Sequence, residues 1–301
     1  MFDKLKHFSN LIVLPHSVFA LPFALASLLV ATNGHPSLRL TLLVILAMVL
    51  ARTFGMAYNR VADAELDALN PRTQNREIPT GKVKKKEAQI LSWICGMAFV
   101  VTCYFINALA FNFSPLVLVI LLFYSHTKRI TWLCHVILGF SLGIAPVGAW
   151  IAALGFTGVS ESFWLLGAVT FFVAGFDILY STQDVDFDKA QGLQSWATRW
   201  GVSSCVKASR YFHVAMLAFL AGFGGFCGFS TVYTGGIAFL GVFLFYQHNK
   251  IYVYDRDRKT KEFKLPVDIL PINGLVSVLF LIVVGVSLFV QSTAWHFHWP
   301  W

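Results

Sequence analysis

Charge is what this sequence has least of. Asp, Glu, Lys and Arg make up 13% of its 301 residues, against the roughly 25% that covers the surface of an ordinary soluble domain. With 57% hydrophobic residues, the chain cannot present a water-compatible exterior, so a soluble globular protein is excluded and lipid is its main solvent. Cysteine is also sparse. Cys95, Cys103, Cys134, Cys205 and Cys227 all lie in apolar stretches without a CxxC, which argues against a disulfide framework or a zinc site. No low-complexity linker divides the chain, so a single membrane domain over 1–301 is expected.

What is present is a series of apolar runs near the 20 residues a helix needs to cross a bilayer. They fall at about 10–32, 39–58, 88–110, 113–125, 132–154, 162–182, 209–228, 231–248 and 270–291. The fold expected is an all-α bundle of about nine transmembrane helices. The opening MFDKLKHFSN resembles a charged leader, but the run that follows is too long for a signal segment and reads as a retained first span.

Basic residues set the orientation. Of the 23 Lys and Arg, 21 fall before the first run or in the loops 59–87, 126–131, 183–210 and 249–269. Those loops and the N-terminus are therefore expected on the cytoplasmic side of a cell inner membrane. The formal charge of +8 is accounted for by this asymmetry and by attraction to anionic lipid, so no nucleic-acid partner is implied.

The few acids are not scattered. At 100° per residue, Arg52, Asn59, Asp63 and Asp67 fall within about 80° of one another on a helix. That helix should stop at Asn70-Pro71, because proline disfavours a helical predecessor. A second stripe, Asp177, Asp184 and Asp188, follows the same geometry in another half of the chain, with Asp186 on the opposite face. Like charges at i, i+4 repel, and ionisable groups at membrane depth are costly and usually functional. Oxygen ligands without His or Cys suit a hard cation, and Mg²⁺ takes few carboxylates together with phosphate oxygens. Asn59, Asp63, Asp67, Asp184 and Asp188 are the candidate metal ligands. Arg72, Arg76, Lys128 and Arg129 follow close by and suit a diphosphate, whereas Lys84-Lys85-Lys86 reads as a membrane-surface run.

These residues resemble the UbiA superfamily of membrane prenyltransferases. Asn59-x-x-x-Asp63-x-x-x-Asp67 looks like that family's first acidic motif, and Asp184-x-x-x-Asp188, with Asp177 and Tyr180 upstream, like its second. Tyr124-x-x-x-Lys128-Arg129 is similar to its basic loop, although Ser125 stands where proline is common, and Arg52 also fits the pattern. The resemblance implies that Mg²⁺ bridges the aspartates to a polyprenyl diphosphate while Arg72, Lys128 and Arg129 neutralise the leaving group. An electron-rich ring then attacks the allylic cation. Asp63, Asp67, Asp184, Asp188 and Arg129 would be catalytic, and Arg52, Asn59, Arg72, Lys128, Asp177 and Tyr180 would bind substrate.

His16-Ser-Val-Phe-Ala-Leu-Pro-Phe-Ala24 and Gly143-Ile-Ala-Pro-Val-Gly148 resemble the 4-hydroxybenzoate polyprenyltransferase branch, which acts in quinone biosynthesis. The wording around Asn70 and Asp177 is closer to a set linked to futalosine-route menaquinone synthesis, whose acceptor would be a 1,4-dihydroxy-6-naphthoate-type ring. Either acid offers a carboxylate that Arg52 or Arg129 could pair. A cation-coupled transporter is the rival class, but transporters centre their sites near the midplane, whereas these acids lie at helix ends. His16 reads as a packed histidine, Asp255–Glu262 as a solvated loop, and His296 and His298 as an interfacial anchor among tryptophans.

Overall fold

The computed structural model describes residues 7–8, 10–11, 20–257 and 269–295, with the side chains of 252–257, 269–273 and 293–295 outside that description. His16, residues 258–262 of the charged loop, and His296 and His298 lie outside the described residues. The described chain is helical, with no strand in it. In order the helices are α1 (Leu21–Ala31), α2 (Leu38–Ala62), α3 (Ala64–Leu69), α4 (Lys85–Ile106), α5 (Ala108–Tyr124) and α6 (Cys134–Leu154). There follow α7 (Val159–Ser181), α8 (Val185–Ala190), α9 (Trp196–Trp200), α10 (Val202–Phe226), α11 (Thr231–Asp257) and α12 (Ile269–Trp295).

Each of the nine predicted spans overlaps one of the longer helices. Among the described residues, five stretches are long and apolar enough to cross a membrane: Leu38–Ala62, Lys85–Ile106, Cys134–Leu154, Val159–Ala190 and Gly274–Ser292. The outer helices expose apolar side chains, as on α2, where Leu38, Leu42, Leu46 and Val49 form an uncovered stripe. That is a lipid face, and the protein is a multi-pass membrane protein. All five cysteines are free, as expected from their apolar surroundings.

Local chemistry sets the ends. Asn107 caps α5 by accepting the Ala110 N–H at 2.8 Å, and it donates to the Ile151 carbonyl at the end of α6. This cap starts α5 at Ala108, five residues before the predicted run, and so lengthens a span that looked short. Asn70 takes an extended conformation (φ −85, ψ 120) ahead of Pro71, so the stop falls where expected.

α7 is the central post. Leu165, Val169, Phe172 and Val173 are fully buried and pack against Phe23 of α1, Met216 and Leu220 of α10 and Phe280 of α12. Among lipids there is no hydrophobic drive between helices, so close approach of backbones does much of the holding. Gly139 and Gly143 provide it on α6. A Cβ on Gly139 would lie 2.1 Å from the Thr170 carbonyl oxygen, and one on Gly143 would lie 2.7 Å from that of Leu166. Gly139→Ala is therefore expected to force α6 off α7 at a cost of about 1–3 kcal/mol. An unchanged unfolding midpoint in detergent would contradict this packing account.

Candidate functional site

Both acidic motifs straddle a helix break. α2 ends at Ala62, Asp63 leaves helical geometry (φ −96, ψ 5), and the six-residue α3 carries Asp67. Likewise α7 ends at Ser181, a 3₁₀ turn spans Thr182–Asp184, and the six-residue α8 carries Asp188. The sequence reading had each stripe on one continuous helix. The break corrects it: each pair of acids spans two segments, and a 3₁₀ interruption of this kind often marks a functional hinge.

Every carboxylate of the four has its own cation. Arg72 grips Asp184 with a fork, Nε to Oδ1 at 2.7 Å and Nη2 to Oδ2 at 2.5 Å, and Asn70 donates to the same Oδ1 at 3.0 Å. Arg76 Nη1 donates to Asp67 Oδ1 at 2.6 Å, and Lys128 Nζ to Asp188 Oδ2 at 3.3 Å. Arg129 Nη2 donates to Asp63 Oδ1 at 2.8 Å, and Asn59 Nδ2 to Asp63 Oδ2 at 3.2 Å. Asp67, Asp184 and Asp188 are buried. The compensation that two acidic stripes demand thus comes from four side chains of the protein itself.

The electrostatics follow from this pairing. Burial pushes the Asp63 carboxyl above its usual range, and Arg129 only partly opposes it. For Lys128 burial acts downward, but the carboxylates of Asp188, Asp177 and Asp184 outweigh it and hold the ammonium above its ordinary value. Burial also pulls Arg72 down, and its hydrogen bonds and charge contact with Asp184 more than restore it.

Could these residues take a metal? Among the described residues no three His, Cys, Asp or Glu side chains gather closely enough to cage one. The donors are nonetheless hard oxygens, and the pairs with Arg76 and Lys128 use only Oδ1 of Asp67 and Oδ2 of Asp188. That donor set fits an ion such as Mg²⁺, which keeps few protein carboxylates and completes its shell with phosphate oxygens.

Below the cluster lies an apolar cavity of about 430 Å³, lined by residues that include Phe113, Leu121, Leu138, Phe156 and Phe163. It reaches Tyr124, four residues before Lys128, and Arg52, two turns before Asn59. Arg52 is the one charged residue in the lining, and its Nε is buried without a hydrogen-bond partner. Arg129 differs. It is spent on Asp63 and on the carbonyl oxygens of Ala62 and Ser125, bracing the end of α2 against the basic loop.

Asp177 stands apart from the other acids, because its partner is a histidine. His135 Nδ1 lies 2.7 Å from Asp177 Oδ2. Tyr180 follows at the end of α7, one turn on. Sequence reasoning had no part for His135, for Asn70 on Asp184, or for Arg76 on Asp67 specifically. Arg76 and Asn70 could have been weighed by their nearness to Pro71. His135, alone on an apolar helix, carried no signal.

A model of the UbiA prenyltransferase family matches residues 20–270. The chain is 29% identical over 239 residues to a 4-hydroxybenzoate octaprenyltransferase of Shewanella baltica, covering 78% of this chain and 80% of that one. Alignments to other Shewanella proteins of that description span as little as 62% of their length. Among solved structures, a UbiA homologue from Aeropyrum pernix superposes with a TM-score of 0.77 at 30% identity, covering 92% of this chain and 98% of that one. A UbiA homologue from Archaeoglobus fulgidus, solved bound to GPP and Mg²⁺, gives a TM-score of 0.67 at 19% identity, covering 94% and 99%, and so shares the fold.

Proposed function

This chain belongs to the UbiA prenyltransferase family and is an aromatic prenyltransferase, and we propose that it moves a polyprenyl group from polyprenyl diphosphate onto a hydroxylated aromatic carboxylate such as 4-hydroxybenzoate. The observation that carries the reading is the pairing of a cation-balanced carboxylate cluster with an apolar cavity holding one unsatisfied arginine. The Shewanella relatives are named for 4-hydroxybenzoate, which supports the acceptor class. The A. fulgidus homologue was solved with an allylic diphosphate and Mg²⁺, which supports the donor and metal. A cation-coupled transporter does not belong to this family.

Asn59, Asp63, Asp67, Asp184 and Asp188 would hold Mg²⁺, which when bound supplies positive charge to the diphosphate oxygens as the leaving group departs. Arg72 and Lys128 then have a second anion to serve. Their present partners, Asp184 and Asp188, hand them to the diphosphate: Arg72 offers its fork and Lys128 a point charge. The allylic C–O bond breaks with its electron pair going to the diphosphate oxygen. The apolar wall keeps water from the cation, while Phe113, Phe156 and Phe163, at the ends of α5, α6 and α7 away from the acids, line the part of the cavity that takes the prenyl tail. Arg52 receives the acceptor carboxylate, which turns the hydroxylated edge of the ring toward the cation. A ring carbon attacks to give a dienone, and passage of that carbon's proton to the ring oxygen restores the phenol. Asp177, held by no Arg or Lys, is the carboxylate that accepts the acceptor's hydroxyl proton.

The nine helices are proposed to cross the inner membrane with the N-terminus and the acid cluster on the cytoplasmic side, consistent with the 21 basic residues there. The test offers membranes containing the protein labelled polyprenyl diphosphate with 4-hydroxybenzoate or 1,4-dihydroxy-6-naphthoate, with and without EDTA. Labelled product from one acid, lost on chelation and restored by Mg²⁺, is expected. No product from either acid with Mg²⁺ present would overturn the reading.

A further inference from the structure

His135 occupies the first turn of α6, almost wholly buried, with 1% of its side chain exposed against 30% for Asp177. Its two ring nitrogens face different parts of the chain. Nδ1 meets Asp177 Oδ2 at 2.7 Å, and Nε2 lies 3.3 Å from the backbone nitrogen of Trp196. An amide N–H only donates, so Nε2 is the accepting nitrogen and the imidazole proton sits on Nδ1, directed at Asp177. One ring therefore locks its own tautomer with the amide and uses the other nitrogen to hold a carboxylate.

The amide belongs to a seam. The segment leaving the second acidic motif runs along the basic loop. There the Gln194 N–H donates to the Lys128 carbonyl at 2.7 Å, and the Cys134 thiol to the Gln194 carbonyl at 3.6 Å. Ser195 caps the short helix that follows, fixing where the Trp196 N–H points. His135 is the innermost stitch of that seam and the one that reaches α7. Gly139, one turn along α6, sets the distance between α6 and α7 and so brings the ring within reach of Asp177.

We infer that His135 is a positioning residue: through Nδ1–H it fixes the rotamer of Asp177 so that the carboxylate's remaining acceptor capacity meets the acceptor hydroxyl. This rests on the reading of Asp177 given above. In the step concerned the phenolic O–H bond breaks, the proton passes to Asp177, and the electron pair stays on the ring oxygen. His135 keeps its Nδ1 proton throughout. An imidazole pinned at both ring nitrogens holds the carboxylate at one fixed angle, which a flexible Lys or Arg side chain would not.

The test compares His135→Ala, His135→Asn, Asp177→Asn and the His135→Ala/Asp177→Asn double variant, each purified in detergent with its unfolding midpoint recorded. An asparagine Nδ2 takes the place of the histidine Nδ1 and can keep the bond to Asp177 while losing the one to the Trp196 amide. His135→Ala is expected to lower kcat by about 10- to 100-fold, the scale of a misplaced reacting group, with KM for the polyprenyl diphosphate changed by less than about twofold. His135→Asn should recover most of that loss, and the double variant should be no slower than Asp177→Asn, as for residues acting as one unit. Normal kcat in His135→Ala would overturn the inference. So would an asparagine variant as slow as alanine, or losses that multiply in the double variant, since each points to bracing of the seam alone. If Asp63→Asn also keeps full activity, the proposed function has failed rather than the role of His135.

Discussion

Asp184→Asn is expected to cut prenyl transfer by at least about 10³-fold, the scale set by removing a group that stabilises charge in the transition state. The amide keeps the shape of the carboxylate and loses its charge. Two consequences coincide at this residue. Arg72 loses the anion that grips it through both oxygens and Asn70 loses its acceptor, so the fork is no longer aimed. The metal loses one of the carboxylates proposed to bind it. Asp186 provides the control two residues away, since it is exposed where Asp184 and Asp188 are buried. Asp186→Asn should stay within about twofold of the parent, as surface changes usually do. Assays across a range of Mg²⁺ concentrations decide the matter: near-normal activity of Asp184→Asn at low Mg²⁺ would remove the cluster from the chemistry.

Arg52→Leu is the second large effect. Truncating one side of a buried charge pair costs about 2–5 kcal/mol, so KM for the aromatic acid should rise by at least about 30-fold. The same change should leave the polyprenyl diphosphate KM nearly as it was, because Arg72 and Lys128 are the residues proposed to attend to that end. Stability should hold or increase, since an unpaired buried Nε is replaced by an apolar side chain that matches the cavity wall. Less active but no less stable is an unusual combination. A substrate analogue lacking the carboxylate sharpens it: the parent should discriminate strongly against it, and Arg52→Leu should not. Loss of diphosphate binding in the variant would instead move Arg52 into the cluster above.

How much of this was readable from the residues depends on the range of the forces involved. Apolar run lengths gave the positions of the longer helices, because bilayer thickness acts on each segment separately. Asn70-Pro71 gave the end of α3 for a steric reason confined to two residues. The break at Asp63 was invisible: Arg60-Val-Ala-Asp63-Ala-Glu contains neither glycine nor proline, and Arg129 from a distant loop takes the Ala62 carbonyl and the Asp63 carboxylate together. The same holds for the ion pairs. Arg72 and Asp184 are 112 residues apart, so proximity along the chain could list the cations but could not assign them. His135 was missed because nothing before its meeting with Asp177 marks it off from the other histidines.

A helix interrupted just before its acids is mechanically a strut with a joint. Bilayers of different thickness change the tilt of a spanning segment at modest cost, and an unbroken rod would carry that tilt straight to its tip. Here the long segment α2, with its lipid-facing stripe, can lean with the surrounding lipid while α3 stays registered by Arg76, and α8 by Lys128 and the backbone contacts along 191–194. The proposed catalytic end is thereby insulated from membrane strain, and turnover is expected to vary little between short- and long-chain lipid vesicles.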